Sequence, residues 1–455
     1  MRTIFLVVGW MLIGAGVHAG PPGWRFNFDP LIHRVGYTYI QPGQVYTEQF
    51  GYGFDFGTTA PEPPFTSSPP FYFSVRVPEG NYNVTVTLGD AGGPSRTTIK
   101  AECRRLMVEE VKTEEGKFAI RTFTVHVRDS IIHEPVVSYA GAAGADPAAG
   151  ATVVGRVPSA GTPVRLKARE YAFLHWDNKL TLEFSNEAPR ISAIEIEPTG
   201  PMPTVFLAGN STVVDQAEEP WAAWGQMIPV FFQPGRVAIA NYAESGETLK
   251  AFVGERRLAK VWSMARPGDY LFIEFAHNDQ KPGSSHLDPF TTYKEELSLY
   301  IREARSRGMI PVLVTSMYRR NFDRGGHVVN TLGDYPEAMR QEAAAMKVAL
   351  IDLNAMSREL YEAWGPERSI HAFVHYPANT FPGQDKELKD DTHFNSYGAY
   401  ELAKCVAKGI RENIPELAKR LVHDLPSFDP NHPDAMEDWK LPMSGKVTVR
   451  KPDGN

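Results

Sequence analysis

Cysteine, excess positive charge and long apolar runs are all scarce in this sequence of 455 residues. Its two cysteines, Cys103 and Cys405, are predicted to lie in different domains, which argues for reduced, buried thiols rather than a disulfide bridge. The 47 lysines and arginines against 54 aspartates and glutamates give a formal charge of −7, so nothing favours binding to nucleic acid. Beyond the N-terminus, no run approaches the roughly 18 apolar residues of a membrane span, so no membrane anchor is expected.

What the sequence does contain indicates a folded protein of several parts. Hydrophobic residues make up 42% of it, which is enough to build cores and excludes wholesale disorder. At about 100–200 residues per domain, the length predicts two or three domains. The 36 prolines exceed the usual share of about 5% and indicate many fixed turns and loops.

The first 19 residues have the pattern of a secretory signal peptide. Arg2 precedes an apolar run over Ile4–Val17, and small residues lead up to Ala19, near which we expect cleavage. The sequence therefore predicts an exported protein, either periplasmic or extracellular, with no lipid or membrane anchor.

Residues 20–200 have the pattern of an all-β sandwich domain. Apolar and polar residues alternate in several short runs, with glycine and proline turns between them and no convincing amphipathic helix. Phe71–Val77 and Tyr82–Leu88, separated by a short turn, are predicted to form a hairpin. Tyr139–Thr162 is rich in alanine and glycine and is predicted to be a flexible insertion loop.

Residues 201–416 change to alternating strands and helices, and residues 417–455 form a proline-rich, polar tail. Helices are predicted over Thr292–Arg307 and from Asp334 through Met346. Continuous apolar runs indicate five strands buried on both faces of a doubly wound parallel sheet, whose site lies at the carboxyl ends of the strands. These runs are Thr204–Ala208, Arg236–Ala240, Tyr270–Phe275, Pro311–Thr315 and Val348–Asp352.

Three segments at the predicted strand ends contain groups suited to acyl transfer. Ser211 follows the first strand and could be a nucleophile, although serine at such a junction is also a common helix cap. Gly246 follows the second strand, where a backbone N–H could reach a substrate oxygen, or it is simply a loop glycine. Asn278 follows the third and offers an amide donor to an oxyanion, or forms an Asx turn.

A fourth segment supplies the remaining chemistry of a serine hydrolase. Asp390 and His393 stand three residues apart, a spacing that lets a carboxylate orient a histidine that acts as the base. Asp391 is the chief rival for the position of the acid, and the spacing favours Asp390. The order of these four segments carries more weight than any one of them alone.

This ordered set resembles the SGNH (GDSL-type) hydrolase superfamily, and within it the rhamnogalacturonan acetylesterases of carbohydrate esterase family 12. The resemblance implies a flavodoxin-like three-layer α/β sandwich with a five-stranded parallel sheet, preceded here by the all-β sandwich. It also implies a Ser211–His393–Asp390 triad and an oxyanion hole formed by the N–H groups of Ser211 and Gly246 and by the Asn278 side chain. Neither a cofactor nor a metal is implied. Asn210 and Ala276 depart from the aspartate and glycine common at these positions.

The resemblance implies an esterase that removes acetyl groups from a pectic polysaccharide, most simply rhamnogalacturonan. Another acetylated glycan such as xylan, or a small acyl ester, stays open as substrate, and so does a glycan-binding protein without activity. His277, Arg319, Arg320 and Tyr376 are candidate substrate-binding residues, with solvated surface charge as the alternative for the arginines. His371 and His375, four residues apart, could also share a metal, although no zinc-protease pattern accompanies them.

The predicted N-terminal sandwich resembles the galactose-binding-like modules that accompany many polysaccharide-active enzymes. Tyr52 and Phe54 could stack on sugar rings, or pack inside the sandwich, which is the favoured interpretation.

Overall fold

The computed structural model describes residues 23–58, 70–133 and 160–453. The predicted signal peptide and most of the predicted insertion loop at Tyr139–Thr162 lie outside these residues. Within the described parts of the chain, no helix is both long and apolar enough to cross a bilayer.

Two five-stranded sheets form the N-terminal region, one in the order β2-β1-β12-β5-β8 and the other in the order β3-β4-β11-β6-β7. Neighbouring strands in them are antiparallel, except that β1 and β2 are parallel. The strands, with the small pair β9 and β10, are β1 (Trp24–Asn27), β2 (Thr38–Tyr39), β3 (Tyr52–Asp55), β4 (Phe71–Arg76), β5 (Gly80–Leu88), β6 (Ser95–Ala101), β7 (Arg105–Thr113), β8 (Ala119–Val127), β9 (Ile131–Ile132), β10 (Thr162–Pro163), β11 (Lys179–Ser185) and β12 (Ile191–Pro198).

One apolar core lies between these two sheets. Along β5, Tyr82, Val84, Val86 and Leu88 are buried and alternate with less buried residues, as expected for a strand with one face on a core. Aromatic rings from the two sheets meet there edge to face, for example Phe26 and Phe73 with centroids 5.2 Å apart. The predicted β-sandwich is therefore present, and Phe54 belongs to its buried core.

The hairpin predicted from Phe71–Val77 and Tyr82–Leu88 is wrong. The corresponding strands β4 and β5 lie in different sheets, where β4 pairs with β3 and β11, and β5 pairs with β12 and β8. The connection between them crosses from one sheet to the other. Alternation shows which face of a strand is buried, and both strands face the same core, but it does not show which strand is the neighbour.

The C-terminal region contains a five-stranded parallel sheet in the order β14-β13-β15-β16-β17, the flavodoxin-like order that the fold prediction implied. An antiparallel pair, β18 and β19, lies beside it. These strands are β13 (Thr204–Gly209), β14 (Ala238–Asn241), β15 (Tyr270–Glu274), β16 (Ile310–Val314), β17 (Ala349–Ile351), β18 (Phe373–Tyr376) and β19 (Leu388–Phe394).

Helices cover both faces of the parallel sheet. Val205 and Leu207 pack into an apolar cluster with α1, α6 and α7, whereas Phe206 and Ala208 pack into another cluster with α2 to α5. This alternation along β13 makes a three-layer sandwich, as the fold prediction states. The helices are α1 (Trp224–Met227), α2 (Leu249–Gly254), α3 (Arg257–Met264), α4 (Lys294–Ser306), α5 (Tyr335–Met346), α6 (Leu353–Arg368), α7 (Ser396–Asn413) and α8 (Pro415–Ala418).

The chain after α8 has little regular structure but is not loose. Phe428, Trp439 and Leu441 pack against the apolar cluster that contains α7. The two cysteines are free and buried, as predicted, with Cys103 in the turn between β6 and β7 of the β-sandwich and Cys405 in α7.

Candidate active site

Ser211 lies in a tight turn that follows the first strand of the parallel sheet. Gly209 ends that strand, and a Cβ there would lie 2.6 Å from Val213 Cγ2, so the turn has room only for glycine. The Oδ1 of Asn210 accepts from the N–H of Thr212 at 3.1 Å, as in an Asx turn, and the next helix begins only at Trp224. The Ser211 hydroxyl faces His393.

A chain of hydrogen bonds links the serine, the histidine and one aspartate. His393 Nε2 lies 2.8 Å from Ser211 Oγ, and His393 Nδ1 lies 2.8 Å from Asp390 Oδ2. All three side chains are buried. Because the ionised carboxylate only accepts hydrogen bonds, Nδ1 carries the proton and the Nε2 lone pair faces the serine hydroxyl.

Asp390 and its neighbour Asp391 differ in position and in partners. The backbone N–H groups of Thr392 and His393 donate to Asp390 Oδ1 at 2.9 and 3.0 Å. Asp391, one residue further along β19, is exposed, and its carboxylate lies 2.6 Å from Arg320 Nε and 2.9 Å from His375 Nε2. The fold therefore places Asp390 against His393 and turns Asp391 away.

The surroundings of Asp390 favour its charged form. Burial works against the charge, but hydrogen bonding and attraction to His393, together with Lys451 and the Thr392 N–H, hold the pKa of Asp390 well below its usual value. The carboxylate is therefore ionised throughout the neutral pH range, as orientation of a histidine requires.

Gly246 and Asn278 lie on adjoining loops. Gly246 has a φ of 85°, a conformation that favours glycine. The Asn278 Nδ2 donates to the carbonyl of Glu247 at 3.0 Å, and its Oδ1 accepts from Lys281 Nζ at 3.1 Å. These bonds fix the amide, and the second hydrogen on Nδ2 is left for another acceptor.

Glu274 is hydrogen-bonded to the turn that contains Ser211, and it was not identified from the sequence. Its Oε1 accepts from Thr212 Oγ1 at 3.0 Å and its Oε2 from Trp224 Nε1 at 2.6 Å. Burial raises its pKa to about 7, although these hydrogen bonds oppose the shift. A carboxylate inside the otherwise apolar run Tyr270–Phe275 is the sequence signal that could have revealed it.

The β-sandwich contacts the chain segment that follows Ser211. Arg105 Nε lies 2.5 Å from Asp215 Oδ2, and both side chains are buried. Arg104 Nη1 donates to the carbonyls of Gln216 and Trp221 at 3.0 and 2.9 Å. Nothing in the local sequence pattern signals these contacts, because they join residues more than a hundred positions apart.

Two of the four candidate substrate-binding residues, Arg319 and Arg320, are held by protein partners. Arg319 Nη2 donates to the carbonyl of His277 at 3.3 Å, and Arg320 contacts Asp391. His277 is buried, and burial together with Arg319 and His393 holds its pKa well below the usual value. Tyr376 lies in β18, which pairs with the strand that carries Asp390.

Of the two histidines considered for a metal, His375 has its ring held by a protein partner. His375 contacts Asp391, and the carbonyl of His371 accepts from Asn395 Nδ2 at 2.7 Å. Elsewhere in the described chain, two groups of acidic and histidine side chains come together, but protein cations already occupy them, as Lys260 and Arg257 show. The two groups are Glu79 with Asp129 and His133, and Glu170 with His175 and Glu244.

A parallel sheet of this order, with a serine, a histidine and an aspartate at its carboxyl edge, is the architecture of an SGNH-type ester hydrolase. Residues 207–399 match the model of the GDSL-like Lipase/Acylhydrolase family. The chain belongs to this family and is a carboxylic-ester hydrolase.

Its curated relatives include esterases of Bacillus subtilis. The chain is 45% identical to "Rhamnogalacturonan acetylesterase RhgT" over 46% of this chain and 89% of that protein. It is 36% identical to "Probable rhamnogalacturonan acetylesterase YesY" over 46% of this chain and 92% of that protein. A longer match, 23% identical, covers 90% of this chain and 97% of "Uncharacterized esterase YxiM".

Proposed function

We propose that this protein is a carbohydrate acetylesterase that removes acetyl groups from a pectic polysaccharide, most simply rhamnogalacturonan, through an acyl-enzyme on Ser211. The observation that carries the mechanism is the 2.8 Å contact of His393 Nε2 with Ser211 Oγ, continued by the 2.8 Å contact of Nδ1 with Asp390. The substrate class is supported by the two relatives named as rhamnogalacturonan acetylesterases. Export also belongs to this proposal and rests on the N-terminal sequence pattern.

In the first half-reaction, Ser211 Oγ attacks the carbonyl carbon of the acetyl group while His393 Nε2 takes the hydroxyl proton. Asp390 stabilises the imidazolium and keeps its ring in place. The backbone N–H groups of Ser211 and Gly246 and the Asn278 amide donate to the oxyanion of the tetrahedral intermediate. His393 then returns the proton to the sugar oxygen, and the sugar leaves with a free hydroxyl.

In the second half-reaction, water repeats the attack on the acetyl-serine. His393 takes a proton from the water, the ester bond to Ser211 breaks, and acetic acid leaves and loses its proton to solvent as acetate. The serine regains its proton from the imidazolium, which restores the starting state.

The test is acetate release from a panel of acetylated substrates, measured for the wild type and for Ser211→Ala. Acetylated rhamnogalacturonan is expected to give the highest kcat/KM, with acetylxylan and 4-nitrophenyl acetate below it. Ser211→Ala is expected to lose on the order of 10⁵–10⁶-fold in kcat while it keeps the wild-type thermal transition.

Each alternative predicts a different result from the same panel. A higher kcat/KM on acetylxylan would replace rhamnogalacturonan as the substrate. No turnover of any ester by the wild type would favour a glycan-binding protein. Substantial activity of a folded Ser211→Ala variant would remove the serine from the mechanism.

A further inference from the structure

The last described residues of the chain lie beside the candidate active site, outside residues 207–399 that match the family. Lys451 Nζ is 3.5 Å from Asp390 Oδ1, while the other carboxylate oxygen contacts His393. Asp453 lies beside Gly246, since a Cβ placed on Gly246 would be 3.2 Å from the Cβ of Asp453. Asp390 and Gly246 thus both lie beside the segment 451–453.

This segment is anchored on both sides of the lysine. Upstream, the N–H of Glu219 donates to the carbonyl of Lys446 at 2.9 Å, and the N–H of Thr448 donates to the carbonyl of Glu219 at 2.8 Å. Downstream, Arg169 forms an ion pair with Asp453. The position of the lysine is therefore set by its flanks, although 42% of its own side chain is exposed.

The charged groups around the acid and the base come from several parts of the fold. Arg319 follows β16 and attracts Asp390, and His277 follows β15 and faces His393. Lys451 comes from the C-terminal segment and makes an ion pair with the Asp390 carboxylate.

We propose that Lys451 is a positioning residue of the active site, which holds and partly neutralises the Asp390 carboxylate and so sets the pH range in which His393 works as a base. This inference rests on the proposed function, because it acts through the triad. Without the lysine, the carboxylate keeps its full attraction for the positive charge that the ring carries once it has taken a proton, so the acidic limb of kcat/KM is expected at higher pH.

The test is the pH dependence of kcat/KM on a small acetate ester for three variants. Lys451→Gln is expected to move the acidic limb upward by about 0.5 pH unit, since an exposed charge acts through a high effective dielectric. Lys451→Arg keeps the charge and is expected to retain the wild-type profile. Lys446→Gln removes the same charge five residues upstream, where the ammonium faces the ring of Phe56 at 5.5 Å, so no shift is expected.

Thermal transitions are measured in parallel. Because Lys451 is partly exposed, its variants are expected to melt within about 2 °C of the wild type. An acidic limb that stays in place in Lys451→Gln overturns the inference, and so does an equal shift in Lys446→Gln. Failure of the proposed function is seen separately, as activity that survives in Ser211→Ala.

Discussion

In the β-sandwich, buried basic side chains pair with residues of the C-terminal region. At the carboxyl edge of the parallel sheet, by contrast, the buried polar side chains contact one another. Arg105 pairs with Asp215, and Lys100 donates to Ser444 Oγ at 2.9 Å. At the sheet edge, Asp390 and Ser211 both contact His393. The first arrangement holds regions together, and the second can move a proton.

These contacts show that the sandwich and the hydrolase region share a buried interface and are not connected by a linker alone. If a linker were the only connection, the hydrolase region would have no buried side chain whose partner lies in the sandwich. Here, removal of the sandwich would take away the arginine that pairs with Asp215 and would expose surface that the sandwich buries. Substitutions therefore test the sandwich more cleanly than a deletion does.

The largest effect is expected on kcat, for a substitution of Asp390 at the edge of the parallel sheet. Asp390→Asn is expected to lower kcat by about 10³–10⁴-fold, since the histidine loses its orienting partner and its tautomer. The matched control is Asp391→Asn, which changes the adjacent residue in the same way and is expected to keep most activity. Equal losses in the two variants, measured as acetate release, would contradict the assignment of the acid.

The next effect concerns the oxyanion donor. Asn278→Ala is expected to lower kcat by about 10²–10³-fold, because one hydrogen bond to the oxyanion is lost. The amide also donates to the carbonyl of Glu247, so Asn278→Asp serves as a second variant that keeps the size but not the donor. Near-normal kcat in both variants would remove Asn278 from the oxyanion hole.

In the sandwich, the corresponding variant is expected to act on stability. Arg105→Met leaves the Asp215 carboxylate buried without its ion pair, and we expect a loss of about 3–5 kcal/mol in the free energy of unfolding. Urea unfolding measures this loss. Arg96→Met is the control in the same region, where an arginine in a partly exposed pair with Glu110 is expected to matter far less. Similar losses in the two variants would show that the buried pair stabilises the fold no more than the partly exposed pair does.

The smallest effect is expected at Glu274, a buried carboxyl that contacts the turn beside Ser211 and is expected to act on stability. Its pKa of about 7 exceeds the usual 4.5, so the folded state holds this proton more tightly than the unfolded state does. The stability it contributes is full below about pH 4.5 and is lost as pH rises through 7. Glu274→Gln is expected to reduce the decline in the free energy of unfolding between pH 5 and 8 by about 1–3 kcal/mol. An unchanged decline would show that Glu274 is already ionised in the folded protein.

Much of the fold could be predicted from local pattern. The strand Thr204–Gly209 and the helix Tyr335–Met346 match their predicted positions within one or two residues, because continuous apolar runs and helical periodicity report burial directly. The pairing of β4 and β5 could not be predicted, since both strands alternate in the same way and only the whole sandwich decides which sheet each joins.

The candidate site was predictable where its groups stand in one short segment. Asp390 and His393 are three residues apart, and Gly209 directly precedes the turn of Ser211. Lys451 gave no signal, because a lysine in a polar tail looks the same whether it faces water or a carboxylate. Contacts of this kind depend on the folded path of the whole chain.

The segment that ends in Lys451 and Asp453 also bears on the order in which the enzyme is assembled. During synthesis, Ser211, Asp390 and His393 are made before this segment. Arg104 and Arg105 of the sandwich, which contact the chain after Ser211, are made before all of them. A growing chain can therefore bring Ser211, His393 and Asp390 together while the ammonium beside the carboxylate is still missing. If the lysine acts as proposed, the enzyme acquires its final pH range only once residues 451–453 have been made and lie beside Asp390.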